Sequence, residues 1–410
     1  MKKFFKSEIM RGGVSLFILF NVFNFLGFLY QILMAKTLGP EDYGVLAVLI
    51  SLFYFVGMPS EIIQTAVSRY TTKFKAKGEY GKIKRILIDF MSNGLIVALA
   101  IFIVAMPLFY WYSKFVNVTF SLVVLMALLI FPSFLAPVSR GILQGMKKFN
   151  SLGVNMVIEA FVKLVAALIL VYFGFRVYGA VVGTLIGAII GIILSFLPLK
   201  RIVLTKREKS KIPNVLSYSS SIFYAMIAIM FIQSIDIILA KRFFSPILAG
   251  QYAAANLVGK MIFLGTISIA KVLLPISSEK YENGENSFRA FIKSFFVITL
   301  LCTGAVIVIF IFRNLIINII FSSEYLRVGS ILLPLCAAFG LISLSNLVLI
   351  YGVSINKTVK AWQLIIFCAI QIGLLYFFSQ SLESFSLAML STSAILLLGS
   401  IFIVFLKGTK

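Results

Sequence analysis

Three lysines, Lys163, Lys260 and Lys271, and three carboxylates, Glu61, Glu159 and Asp236, lie inside long apolar stretches of a 410-residue chain. An ionisable group in hydrocarbon is costly, so each must face a partner or a water-filled cavity. Sorted at helical spacing, the polar residues around them fall on faces. Asn21, Asn24 and Gln31 share one sector of the first stretch with Gly27, and Tyr54, Glu61, Gln64, Thr65 and Ser68 share a face of the second. Gln233 and Asp236 fall together in the seventh, and Asn256, Lys260 and Lys271 in the eighth. In the hairpin of these two stretches Asp236 and Lys260 reach similar depths. Two readings of that pair stand: a structural ion pair, or groups that line a cavity. Glu159 and Lys163, spaced i, i+4 with the acid first, suit a local pair.

Other chemistry is excluded by what the sequence lacks. It contains no histidine, which removes zinc sites of the usual kind, imidazole proton shuttles and histidine-based triads. No phosphate-binding loop of the G-x-x-x-x-G-K-[ST] type occurs, so ATP is not expected to drive the chain directly. Cys302, Cys336 and Cys368 fall in three different apolar segments, as packing residues rather than a disulfide framework. The outer loops are too short to hold catalytic groups, and an enzyme is disfavoured.

The elements that must position these groups are membrane-spanning helices. Hydrophobic residues make up 61% of the chain and charged residues 12%, an excess that a bilayer absorbs and a soluble core does not. Each span needs about 20 mainly apolar residues. Punctuation by charge, Gly and Pro gives twelve: 13–36, 44–68, 86–111, 118–144, 151–174, 178–199, 214–242, 250–275, 289–312, 327–352, 359–379 and 384–406. The first is too long for a signal-peptide core and lacks a small-residue cleavage pattern, so it reads as a retained span. The expected fold is all-α and integral to the membrane, with lobes at 1–199 and 214–410 joined by a basic cytoplasmic linker, 200–213.

Of the 37 Lys and Arg residues, 27 fall on one side of these spans, which places both termini and the linker in the cytoplasm of a cell-membrane protein. The net charge of +23 sits in short loops flanking spans, where topology and anionic headgroups account for it and nucleic acid is not needed. The two halves repeat. Ile32-Leu33-Met34-Ala35-Lys36 with Pro40 and Tyr43-Gly44 is echoed by Ile237-Ile238-Leu239-Ala240-Lys241 with Pro246 and Gly250-Gln251-Tyr252. Six helices per half is an even number, so both halves enter from one face as a parallel repeat, a design that binds at the interface between halves. Gly179, Gly183, Gly187 and Gly191 form a four-residue ladder, a surface for close packing of another helix.

The segment Ala35-Lys36-Thr37-Leu38-Gly39-Pro40-Glu41-Asp42-Tyr43-Gly44 resembles the first outer loop of the polysaccharide-transporter, or oligosaccharide flippase, family of the multidrug/oligosaccharidyl-lipid/polysaccharide (MOP) exporter superfamily. Arg140-Gly141-Ile142-Leu143-Gln144-Gly145 with Lys147-Lys148-Phe149, and the start Lys2-Lys3-Phe4-Phe5-Lys6, are similar too. The second half departs, with Phe243-Phe244-Ser245-Pro246 in place of Leu-Gly-Pro. The resemblance implies two six-helix bundles around a central cavity lined by the first, second, seventh and eighth helices. It implies flipping of a polyprenyl-phosphate or polyprenyl-pyrophosphate oligosaccharide from the cytoplasmic to the outer leaflet. On that basis Lys271 and Arg69 receive the phosphate near the cytoplasmic mouth and Lys260 forms a deeper site. Asn21, Asn24, Gln31 and Asn256 bond sugar hydroxyls, and Glu61 and Asp236 couple to protons or sodium. No other cofactor is expected. Implied partners are the lipid-linked oligosaccharide, membrane lipids and glycosyltransferases or a polymerase of the same pathway, around a monomer. Rival readings are a cation-coupled drug exporter of the same superfamily, a facilitator of the major superfamily, and a non-transporting accessory protein. The lysines of the eighth span speak for an anionic ligand. The loop Arg69–Arg85 lacks the Asp of the facilitator signature, and an accessory protein needs no polar stripes on four helices.

Overall fold

The computed structural model of the chain describes residues 8–208, 227–321, 325, 328–355 and 361–406. Every element among them is helical. The first eight are α1 (Glu8–Ala76), α2 (Tyr80–Val104), α3 (Met106–Phe115), α4 (Phe120–Ala127), α5 (Ile130–Gly145), α6 (Phe149–Leu170), α7 (Arg176–Ser195) and α8 (Lys200–Leu204). They are followed by α9 (Ile235–Phe243), α10 (Pro246–Glu282), α11 (Phe288–Ile311), α12 (Arg313–Ile320), α13 (Val328–Ser354), α14 (Ala361–Phe377) and α15 (Leu382–Ile401). Eight stretches of the described residues are long and apolar enough to cross a membrane, and one of them, Phe149–Leu204, contains both the fifth and the sixth expected spans. The expected seventh span, 214–242, is described from residue 227 onward. The basic start Lys2–Lys6 and linker residues 209–213 lie outside the described residues.

The loop expected between the first two spans narrows to one residue. Helix α1 runs through it with a single break at Gly39, whose φ of 73° and ψ of 173° suit a residue without a Cβ. Pro40 follows, where its fixed φ restarts a helix and its missing N–H costs nothing. The chain divides into two compact units, one of residues 1–38 with 52–218 and the other of residues 39–51 with 219–410. The segment 39–51, first-half in sequence, therefore packs with second-half helices.

Glycine sets the helix spacing in the first unit. A Cβ at Gly179 would lie 2.9 Å from that of Leu170, and one at Gly187 would lie 2.7 Å from that of Lys163. Cβ atoms at Gly183 and Gly191 would overlap Ala167 and the Glu159 carboxylate. The ladder thus lets α7 lie against the backbone of α6, as small-residue faces do in membranes. The Arg140–Gly145 motif works the same way: a Cβ at Gly145 would come within 2.6 Å of the Thr71 Cβ, and Gln64 Nε2 donates to Gln144 Oε1 at 3.0 Å. Around this contact Val67, Ile83, Leu87, Val138, Ile142 and Leu152 form a buried core.

Two partly buried cations of this unit are settled by neighbouring helices. Arg140 of α5 pairs with Glu159 of α6, and its Nε donates to Asn155 Oδ1 at 3.3 Å. Asn155 in turn donates to the Gly191 carbonyl at 2.6 Å. Lys163, expected to pair with Glu159, stays within its electrostatic reach, yet its ammonium sits 4.0 Å from the ring centroid of Tyr30. The guanidinium fork matches a carboxylate better than an ammonium does, which explains the division. At the start of the linker Arg207 joins Arg85 on Asp89, and the Glu208 amide donates to the Gly81 carbonyl at 3.3 Å.

The second unit centres on α13, the most enclosed of the described spans, which packs on α10, α11 and α15. Segment 39–51 joins at the start of α10, where Ser245 accepts from the Leu248 amide and Pro246 occupies the first turn. Gly44 and Gly250 meet backbone to backbone: a Cβ on Gly44 would lie 3.0 Å from the Gly250 Cα, and one on Gly250 would overlap the Pro40 carbonyl. Buried Lys241 interacts electrostatically with Glu41 and Asp42. The repeated Pro and Gly letters of the two halves are thereby brought into contact.

Two substitutions of one kind should have opposite effects. Gly27→Ala meets nothing within 4 Å and should gain about 0.5–1 kcal/mol from helix propensity. Gly187→Ala meets the Lys163 side chain and should lose about 1–3 kcal/mol by overpacking, both read by thermal unfolding in detergent. In the same assay Arg140→Gln should destabilise more than the double variant Arg140→Gln, Glu159→Gln, because the single change leaves a partly buried carboxylate without its counter-charge.

Candidate functional site

The seventh span is interrupted where its carboxylate lies. Residues 227–232 are helical, Gln233 and Ser234 form a turn, and α9 begins afresh at Ile235. Sequence spacing had placed Gln233 and Asp236 on one face of a continuous helix; the break separates them. It places Asp236 in the first turn of α9, where the positive end of the helix dipole favours an anion. The break is supported from outside. Buried Gln371 of α14 donates through Nε2 to the Ile232 carbonyl at 2.9 Å, partnering a group that the interrupted helix leaves over. Such satisfaction is obligatory for irregular backbone at membrane depth.

Helix α10 faces the break with a row of polar groups. Tyr252, Asn256 and Lys260 are spaced i, i+4, i+8 and so rise along one face. Tyr252 Oη donates to Asp236 Oδ2 at 3.0 Å, and Asn256 Nδ2 donates to the same oxygen. Asp236, Tyr252 and Asn256 have no solvent exposure, whereas Lys260 keeps some and interacts electrostatically with Asp236. The Tyr252 ring is fixed in turn by Phe385 of α15, edge to face at 5.2 Å between centroids. Among the described residues Asp236 Oδ1 and Asn256 Oδ1 are buried oxygens without a hydrogen bond of ordinary geometry. The result is a carboxylate shut inside the protein with acceptor capacity to spare, beside a lysine that is itself only partly buried.

Of the residues expected to act, the structure brings Asp236, Asn256 and Lys260 together. Lys271 lies eleven residues beyond Lys260 in α10, with its side chain outside the described residues. Asn21, Asn24, Gln31, Glu61 and Arg69 all belong to α1. Asn21, Asn24, Glu61 and Arg69 are exposed, and Asn21 turns its Nδ2 back to the Phe17 carbonyl at 2.8 Å. Gln31 is partly buried, with an Oε1 that has no donor among the described residues. Two members of the site were missed. Tyr252 was readable, since it continues the Asn256–Lys260 row by four residues. Gln371 carried no signal, because its partner is a backbone carbonyl 139 residues away.

The geometry can be set beside known proteins. The family model described as polysaccharide biosynthesis protein matches residues 33–330. No curated protein matches the sequence. Among solved structures, the inward-facing form of a multidrug resistance MATE-family transporter of the MOP superfamily is similar, with a TM-score of 0.75 at 15% identity, covering 95% of this chain and 96% of that one. A MOP-superfamily transporter from Pyrococcus furiosus Vc1 (DSM3638), for which reverse polarity of the binding pocket suggests a different function, has a TM-score of 0.65 at 16% identity, covering 98% and 96%. A MATE transporter in complex with MaL6 has a TM-score of 0.63 at 16% identity, covering 98% and 97%. Identities this low establish the fold, that of MOP-superfamily transporters with twelve helices in two bundles. With the family model matching well over half of its length, this chain belongs to the polysaccharide biosynthesis protein family.

Proposed function

We propose that this membrane transporter is a flippase that moves a polyprenyl-phosphate or polyprenyl-pyrophosphate oligosaccharide from the cytoplasmic to the outer leaflet of the cell membrane by alternating access. The observation that carries this reading is a partly buried lysine, Lys260, in the field of a fully buried carboxylate, in a chain of the polysaccharide biosynthesis family. A lysine serves phosphate as a point charge, and an arginine adds a bidentate contact. Lys271 and Arg69 receive the headgroup from the cytoplasmic side and Lys260 holds it deeper. Asn21, Asn24, Gln31 and Asn256 bond sugar hydroxyls while the polyprenyl tail stays in lipid. Asp236 and Glu61 couple the cycle to protons or sodium. No bond is made or broken in this cycle, so the chain is a carrier rather than an enzyme. It works as a monomer with cytoplasmic termini, alongside the glycosyltransferases or polymerase that make and consume its cargo.

The resemblance to a multidrug transporter at a TM-score of 0.75 favours a second reading, export of cationic amphiphiles driven by a cation gradient. Depletion separates the two. Lipid-linked sugar accumulating in the inner leaflet supports the flippase, and drug sensitivity without accumulation supports the exporter.

Losing one charge-assisted phosphate contact costs about 1.5–3 kcal/mol, or roughly 10–100-fold in affinity. The double variant Lys260→Ala, Lys271→Ala should therefore lose flipping in complementation and in a liposome assay, and wild-type flipping by it refutes the phosphate assignment. Asp236→Asn and Glu61→Gln should each lose gradient dependence. Rates that respond to the gradient as in the wild type remove the coupling assignment.

A further inference from the structure

We infer that Asp236 and Lys260 form a linked pair of binding sites, in which a small cation at Asp236 and an anionic headgroup at Lys260 each strengthen the binding of the other. The inference rests on the reading of Lys260 as a phosphate site and adds the thermodynamic rule by which it operates.

The two side chains are each other's counter-charge. Their interaction is direct enough for each to feel the other's field, and both lie in apolar surroundings where an unpaired charge is costly. A phosphate that takes the Lys260 ammonium strips Asp236 of its compensation. The buried carboxylate then gains from any cation that reaches it. Conversely, a cation already on Asp236 releases the ammonium from its internal partner and leaves it to attract an anion. With neither ligand or with both the pair is neutral, and with one alone it is charged.

Exposure assigns the ligands. Lys260 is partly accessible and Asp236 is not, so the large headgroup is assigned to the lysine and the small cation to the carboxylate. The acceptors there are suited to it. Asp236 Oδ1 and Asn256 Oδ1 are buried oxygens without a hydrogen bond of ordinary geometry from the described residues, and the first-turn amides of Asp236 and Ile237 lie near the carboxylate. Two oxygens of this kind offer ligands to a hard cation or a seat for a proton. Tyr252 and Asn256 spend their donors on Oδ2 and hold the carboxylate in place while its other oxygen is filled.

Linkage of this kind is reciprocal, because each ligand must change the other's affinity by the same factor. The test is equilibrium binding of geranylgeranyl pyrophosphate to the full-length protein in detergent micelles, by titration calorimetry. Coupling energies of this type correspond to about 5–150-fold, so wild-type affinity should rise at least about tenfold on acidification from about pH 8 to about pH 6, or when sodium replaces choline. A pH response larger in the wild type than in Asp236→Asn identifies the proton as the cation, since Lys260 can itself titrate, and the second response identifies sodium. Asp236→Asn should bind tightly whatever the sodium concentration and respond to pH only through the titration of the probe and of Lys260. Lys260→Ala should lose binding. Titrations of the wild type in two buffers of different ionisation enthalpy give the proton uptake per bound probe and need no variant to fold. Lys260-dependent binding with no proton uptake and no sodium effect overturns the linkage and leaves the phosphate site intact. Binding indifferent to Lys260, or none, overturns both.

Discussion

A charge inside an apolar helix bundle must find its partner within the protein, and this constraint organises both units. Water, which would otherwise screen and solvate it, is absent from the spans. The first unit meets the requirement with interactions that close on themselves. Arg140 binds Glu159, Asn155 ties Arg140 to α7, and the Lys163 ammonium rests on the Tyr30 ring. The second unit meets it only in part. Asp236 is compensated by Lys260 and holds two hydrogen bonds on one oxygen, while its second oxygen receives none of ordinary geometry from the described residues. The charges of the first unit are thus paired across helices, and the carboxylate of the second keeps one oxygen less fully bonded than the other.

The glycines serve the same constraint from the backbone side. Helices that approach closely exclude lipid and water from the polar groups between them, and the Gly179–Gly191 ladder achieves this between α6 and α7. It leaves the Glu159 carboxylate directly against Gly191. In the second unit the contact of Gly44 with Gly250 does likewise for buried Lys241, Asp42 and Tyr43. The offset of 205 residues that joins Lys36 to Lys241 also carries Gln31 onto Asp236, so the charged position of the second half is matched by an amide in the first. A similar offset, the 206 that joins Pro40 to Pro246, carries Leu46, Ile50 and Tyr54 onto Tyr252, Asn256 and Lys260. At that offset the row has no polar counterpart at Leu46 or Ile50, whereas the offset of 209 that the Tyr43–Tyr252 match requires places Tyr43, Ala47 and Ser51 opposite it, so only the lysine is a charge of one half alone.

Much of this was legible in the sequence because it depends on local spacing. Span lengths follow from apolar runs, the glycine ladder from an unbroken period of four, and the Asn256–Lys260 row from helical periodicity. What stayed hidden depends on partners distant in sequence. Nothing near Glu159 announces that Arg140, on another helix, takes it in preference to Lys163, four residues away. The break before α9 is equally invisible, since Ile232, Gln233 and Ser234 read as ordinary helix until Gln371 supplies the donor that makes the break affordable. Gly39 was legible as a turn signal, but its neighbours were assigned to a loop that the structure replaces with one residue of non-helical backbone.

The fold by itself does not choose the cargo, because transporters of drugs share it at 15–16% identity. The discriminating feature is which charge a ligand can reach. A carrier of cationic amphiphiles needs an accessible carboxylate and a protected or absent cation. Here Asp236 is enclosed by Tyr252, Asn256 and the start of α9, and Lys260 is only partly buried. Under the proposed flippase reading an anionic headgroup gains from that order of burial. The relative burial of one acid on α9 and one base on α10, the base about two helical turns beyond Tyr252, therefore bears more directly on substrate than the twelve-helix scaffold around it.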